Sequence, residues 1–243
     1  MPSRPPGART HDAPADAREQ TRKRVIEAAI DLLTRGGRDA VTTRAVADAA
    51  GLQAPAIYRL FGDKDGLLDA VAEHGFHAFL ATKRVDPDPP DLIEDLRAGW
   101  DTAAEFGLAN PALFTLMYTE PGRSASAAFA TGMEILRGRI RRLAVAGLLR
   151  VGEELAAQII HASTRGAVLT WLSLPEDRRD PALLTAAREA MVTAVTTRRP
   201  AVDESGPAGA ARALRAALPA QTVLSDAEQR LLGEWLDRIA TAG

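Results

Sequence analysis

Residues 42–61 read TTRAVADAAGLQAPAIYRLF, from Thr42 to Phe61. Two short helical patterns flank one glycine, Gly51. Val46, Ala47 and Ala50 before it, and Leu52, Ile57 and Leu60 after it, face inward if the two helices cross steeply. Ala47 is small where such helices come closest, and Gly51 supplies the positive φ that a turn between them needs. Thr43, Arg44, Gln53, Ala54, Pro55, Tyr58 and Arg59 are left facing outward. The stretch reads as a helix-turn-helix.

The outward set has the chemistry of a DNA reader. Short side chains at Ala54 and Ala56, with Pro55 in the first turn, let the second helix enter a major groove end-on. Gln53 suits a base edge, and Arg44 a bidentate contact with guanine. Tyr58 offers a phenol to a phosphate, while Thr42 and Thr43 offer hydroxyls and helix-start amides. Lys64 sits at a helix start, where the dipole opposes its charge; a phosphate there explains the placement. The plainer alternative is a helical corner with a solvated polar face.

The flanking sequence is helical throughout, with no convincing strand and no internal repeat. Asp16-Ala-Arg-Glu19 has capping-box spacing, which starts a first helix near Asp16. Val25, Ile26, Ala29, Ile30, Leu32 and Leu33 continue it as an apolar stripe, and Gly36-Gly37 ends it. Thr42 caps the second helix, and Asp63 caps a helix from Lys64 to about Lys83. Three prolines within residues 85–90 mark a boundary. Helical patterns follow at about 91–108, 111–118, 124–149, 153–174 and 181–197. Residues 199–224 read as irregular, with a turn or two of helix at Ala210–Leu218. Ser225-Asp-Ala-Glu228 opens a final amphipathic helix to about Thr241. The domains expected are a disordered arm at 1–15, a DNA-binding domain with linking helix at 16–84, and a second domain at 85–243.

TTRAVADAAGLQAPAIYRLFGDKDGLLDAV resembles the DNA-binding domain of the TetR family of bacterial repressors. The likeness runs from about Arg18 to His77 and includes the lead helix RVIEAAIDLLTRGG. It implies an all-α dimer in which two N-terminal helix-turn-helix domains read an inverted repeat in double-stranded DNA. It also implies a C-terminal domain that dimerises and binds a small hydrophobic effector. Thr42, Thr43, Arg44, Tyr58 and Lys64 fall on the family's DNA-contact positions, and Gln53, Ala54 and Pro55 where sequence is read. Ala54 departs from members with a longer polar side chain there. Base readout is then sparse, leaning on Arg44, Gln53 and Arg59.

Composition limits the other readings. The chain has 243 residues, 46% of them apolar and 5% aromatic, enough for a sizeable helical core. Cysteine is absent, which excludes disulfides, thiolate metal sites and thiol catalysis and fits a reducing cytoplasm. No apolar run approaches a membrane span. Residues 1–84 carry 13 Lys and Arg against 11 Asp and Glu, a mild positive bias that permits a polyanion partner. No nucleophile motif or phosphate loop points to an enzyme, and no cofactor or catalytic residue is expected. His74 and His77 share a helix face, but two ligands with no Cys or third carboxylate nearby do not make a metal site.

The second domain yields less. Phe106-Gly-Leu-Ala-Asn-Pro111 to Tyr118 is similar to a family segment that bends beside the pocket, with Pro111 barring Asn110 from the helix. The candidate pocket residues are Trp100, Phe106, Phe114, Met117, Tyr118, Met133, His161 and Trp171, although for any one of them plain core packing is the commoner role. Helices near 153–174 and 180–197 fall on the family's dimerisation positions, through Ala157, Ile160, Ala167, Leu169, Leu183, Ala187, Ala190, Val192 and Ala194. The leading function is a ligand-responsive repressor. An activator or architectural DNA binder without a ligand, and a helical small-molecule carrier, remain as alternatives.

Overall fold

The computed structural model describes residues 13–119, 126–197 and 207–241. Eleven α-helices lie among them, and the only β-type pairing there is an isolated bridge between Leu149 and Thr196. The chain divides into two compact units, one ending at Gly75 and the other starting at Phe76.

The first unit contains α1 (Ala13–Ala40), α2 (Thr43–Ala49), α3 (Ala54–Phe61) and the start of α4 (Lys64–Thr82). Its buried residues follow the helical stripe, with Val25, Ala29 and Leu33 of α1 and Val46, Ala47 and Ile57 nearly inaccessible to solvent. α1 already runs at Asp16, so the helix starts earlier than the capping box implied. Of the arm expected at 1–15, residues 1–12 lie outside the described residues and Ala13–Ala15 are helical. The helical run breaks at Gly37, where φ is 66°.

Gly51 closes α2 with φ 68°. Its N–H donates to the Asp48 carbonyl at 3.2 Å, and the Leu52 N–H donates to Ala47 at 2.8 Å. These are the paired bonds of a Schellman turn, which uses up the free carbonyls of a helix end. The same motif ends the helix at Ala127–Val145, where Leu148 donates to Leu143 and Gly147 to Ala144. Capping is as the sequence indicates: Thr42 Oγ1 accepts from the Ala45 amide, and Asp63 Oδ1 from the Gly66 amide. Gly66 was not singled out from sequence. A Cβ there would collide with the Phe61 carbonyl oxygen, so the corner from α3 into α4 closes only around a residue without one.

The second unit contains the rest of α4, then α5 (Leu92–Ala109), α6 (Pro111–Thr119), α7 (Ala127–Val145), α8 (Glu153–Ser173), α9 (Ala182–Val195), α10 (Pro207–Ala217) and α11 (Asp226–Thr241). α5 packs on α7, α8 and α9, and α8 packs on α7 and α9. Arg97 of α5 grips Glu189 of α9 with Nε at 3.0 Å and Nη2 at 2.9 Å, and Arg188 reaches back to Asp101 at 2.7 Å. α10 is a three-turn helix beginning at Pro207, longer than the sequence suggested, because proline fits a first helical turn as well as a loop. It pairs with α11 around Ala211, Leu218 and Leu236. Ser225 and Glu228 cap α11 reciprocally, the Ser225 N–H reaching Glu228 Oε2 at 2.8 Å.

Gly66→Ala is expected to destabilise the first unit by roughly 1–3 kcal/mol, because the clash is with backbone and cannot be relieved by a rotamer change. Gly138 of α7 has open space around it, so Gly138→Ala should stabilise by roughly 0.5–1 kcal/mol. Thermal unfolding of both variants checks the opposite signs.

Candidate nucleic-acid interface and effector cavity

The helix-turn-helix presents the residues picked from sequence on an exposed face. Arg44, Gln53, Pro55, Tyr58 and Arg59 are exposed, whereas Thr43, Ala54 and Lys64 are half-buried. Among the described residues, the side chains of Arg44, Gln53 and Arg59 have no hydrogen-bond or ion-pair partner, so their polar ends stay available. Tyr58 is 53% exposed, and its hydroxyl lies 3.4 Å from Thr43 Oγ1, which brings two phosphate-type donors together. Thr42 Oγ1 accepts a bond as the α2 cap, leaving its O–H free to donate outward. Lys64 Nζ sits 3.5 Å from the Arg38 carbonyl, which offsets part of the cost of a cation at a helix start.

Of the inward set, Val46, Ala47, Ala50 and Ile57 are buried, and Leu52 and Leu60 are half-buried. Sequence reasoning overlooked Arg22. Its guanidinium donates to the Leu60 carbonyl at 3.2 Å and stacks over the Phe61 ring at 4.7 Å. This fixes the C-terminal end of α3 against α1. The signal was present: Arg22, Ile26, Ala29 and Leu33 share one helix face at the spacing of a buried stripe.

In the second unit a cavity of about 70 Å³ lies among α4, α5, α6, α7 and α8. Trp100, Phe114, Tyr118, Met133 and His161 line it, as do Phe76, Phe79 and Phe129. Phe106, Met117 and Trp171 do not. Met117 is wholly buried, Phe106 packs on Phe79 at 5.1 Å between centroids, and Trp171 is half-buried elsewhere on α8. Pro111 makes the bend at Asn110 that brings Phe114 and Tyr118 to the cavity. Gly107 permits it, since a Cβ there would lie 2.8 Å from the Phe114 ring.

Three further residues in the wall are cationic: Lys83, Arg139 and Arg165. Arg139 is 7% exposed, and its Nε bonds Asp95 at 3.1 Å while Nη2 bonds the Arg84 carbonyl at 2.9 Å. Arg142 shares the same Asp95 oxygen at 3.0 Å. Gly99, one turn after Asp95, makes room for the Arg139 guanidinium. Burial, with Arg139 adding repulsion, pulls the Lys83 ammonium down to about 8. His161 is lowered by burial and by Arg165 and Lys83, which favours the neutral imidazole. Burial pushes the Tyr118 phenol up to about 12, so it remains a donor.

Comparison with known proteins gives the family. The model for bacterial regulatory proteins of the tetR family matches residues 25–71, which contain the helix-turn-helix. The tetracycline repressor protein class C of Escherichia coli is 30% identical over 190 residues, 76% of this chain and 83% of that protein. The chain belongs to the TetR family. It is thus a DNA-binding transcriptional regulator rather than an enzyme. The tetracycline repressor protein class A from transposon 1721 is 53% identical over 49 residues, which span 23% of its length. Among solved structures, the SmeT repressor of a Stenotrophomonas maltophilia multidrug efflux pump superposes with TM-score 0.58 at 20% identity, over 73% of this chain and 91% of that one. A TetR-family regulator from Marinobacter aquaeolei VT8 superposes with TM-score 0.57 at 22% identity, over 76% of this chain and all of that one. These two share the all-α fold with this regulator. No described helix is long and apolar enough to cross a membrane.

The cavity's half-buried lysine has a pH signature. The folded pKa of Lys83 lies below its unfolded value of 10.5, so the unfolded chain binds more protons between about pH 8 and that value. Stability linked to Lys83 therefore rises with pH through this window. Lys83→Met, which removes the buried charge, is expected to be more stable than wild type at pH 7 by at most about 3 kcal/mol. The difference should shrink towards pH 10, as read by chemical denaturation at the two pH values.

Proposed function

We propose that this regulator is a repressor that binds an inverted-repeat operator as a homodimer and is released by a small hydrophobic effector in the α4–α8 cavity. One observation carries the reading: α4 is a single helix whose first turn follows the recognition helix and whose Phe76 and Phe79 wall the cavity. An occupant that favours one position of that helix changes the separation of two recognition helices, which a dimer on DNA needs about 34–36 Å apart. Effector and operator then compete through their different affinities for the two states. The repressor role is supported by the similarity to the tetracycline repressor proteins of classes A and C. Residues 16–84 serve DNA binding and linkage, and residues 85–243 effector binding and dimerisation.

On the operator, Arg44 and Gln53 read bases, with Arg59 beside them. Thr42, Thr43, Tyr58 and Lys64 hold phosphates, and Ala54 and Pro55 let the backbone approach. Dimerisation uses α8 and α9. Ala157, Ile160, Ala167 and Val192 are buried within the subunit and drop out of that interface. Leu169, Leu183 and Ala187 stay partly accessible, and Ala182, Ala186, Ala190 and Ala194 form an exposed line of small residues along α9. Such a line allows two copies of a helix to meet closely across a two-fold axis.

Arg44→Ala should weaken operator binding roughly tenfold or more with an unchanged Tm, while Tyr58→Phe lowers affinity for all sequences alike. Fluorescence anisotropy at matched salt measures both. A wild-type protein that binds its own promoter region no tighter than random DNA would refute the reading. Ala190→Arg should give a folded monomer by analytical ultracentrifugation, and a wild-type dimer stability in that variant would exclude α9 from the interface.

A further inference from the structure

We infer that the effector of this cavity is an organic carboxylate: an apolar body held by the aromatic wall, with its negative end against Lys83. The inference rests on the effector-pocket reading above and narrows it.

The wall combines two chemistries. Phe76, Phe79, Phe114, Phe129 and Met133 give an apolar surface, while Lys83, Arg139 and Arg165 bring positive charge. Among the described residues no Asp or Glu lines the cavity. Asp95 sits behind the wall, already shared by Arg139 and Arg142. Lys83 therefore has no carboxylate; its ammonium rests over the Phe79 ring at 4.6 Å. A half-buried ammonium without an anion is costly, and part of that cost shows as its lowered pKa. A value near 8 still leaves the group charged at pH 7. A carboxylate entering the cavity would meet an ammonium that has already lost most of its water, so the contact gains more than it would at the surface. The Tyr118 hydroxyl and neutral His161 add hydrogen-bonding groups that tolerate an anion. An amine would meet only like charge, and an alcohol would leave the ammonium unpaired.

The cavity, at about 70 Å³, is far below the roughly 300–1,000 Å³ of sites that engulf drug-sized molecules. A single ring or a short chain suits it, and a larger body requires the walls to move.

The test uses the full chain and two matched probe series: benzoate, benzyl alcohol and benzylamine, and octanoate, octan-1-ol and octylamine. Thermal shift and calorimetry at millimolar probe are expected to show the carboxylate as the tightest member of at least one series. Lys83→Met should weaken that carboxylate roughly tenfold or more, and Lys83→Arg should retain it. Carboxylate affinity should also fall as pH rises past 8 in wild type and stay level in Lys83→Arg. The other groups facing the cavity are the guanidiniums of Arg139 and Arg165, the Tyr118 phenol, held protonated over that range, and the His161 imidazole, held neutral. If the alcohols or amines bind as tightly, or Lys83→Met binds the carboxylates unchanged, the anion inference fails and the effector pocket stands. If no probe of any charge binds, both fail.

Discussion

At Gly51 the backbone turns through a conformation that a side chain would strain, and the placement of every residue proposed to face DNA depends on it. The two Schellman hydrogen bonds end α2 at the point where Ala47 is small enough to sit beneath α3. With that crossing set, Arg44 on one helix and Gln53, Tyr58 and Arg59 on the next share one exposed face. The corner after α3 is built with similar economy. Arg22 holds its end, Asp63 caps the following helix, and Gly66 leaves space for the Phe61 carbonyl. These are short-range constraints, so the reading head is rigid without a large core.

The cavity follows a different physics. Its walls carry unbalanced positive charge in a place of low polarizability, held there by two devices. Gly99 and Asp95 seat Arg139, so one guanidinium is satisfied from behind the wall. Lys83 has only an aromatic face, and its lowered pKa records what that costs. Perturbed groups of this kind cluster at functional sites. The helix-turn-helix face leaves the Arg44, Gln53 and Arg59 side chains without partners among the described residues, and the cavity leaves the Lys83 ammonium without an anion.

Most of the fold was legible in the sequence because it is written locally. Caps at Thr42, Asp63 and Ser225, a glycine turn and apolar stripes at helical spacing are all short-range signals, and each helix appears close to where they put it. The errors have local causes too. Asp16 has the form of a cap but lies inside a helix, and Pro207 opens a helix in a stretch whose composition suggested a loop. The cavity was legible only in part. Aromatic spacing cannot tell Phe114, which lines it, from Phe106 and Met117, which fill the core around it. The cations escaped notice for a deeper reason. Arg139 belongs to the basic run RGRIRR, which reads as a solvated face, and its partner Asp95 is 44 residues away in sequence. Lys83 follows the last turn of α4, where lysine ordinarily reaches into water.

The three tryptophans occupy three different environments. Trp100 is 2% exposed in the cavity wall, with its indole N–H donating to Ser163 at 3.3 Å; Trp171 is half-buried, and Trp235 is 50% exposed on α11. Indole emission shifts with the polarity around the ring, and small soluble quenchers reach only exposed rings. The chain therefore carries its own optical gauge: quenching silences Trp235 first, and of the two rings that remain Trp100 stands in the cavity wall. Replacing Trp171 and Trp235 by Phe would leave one indole, that of Trp100, whose emission reports on the cavity wall alone.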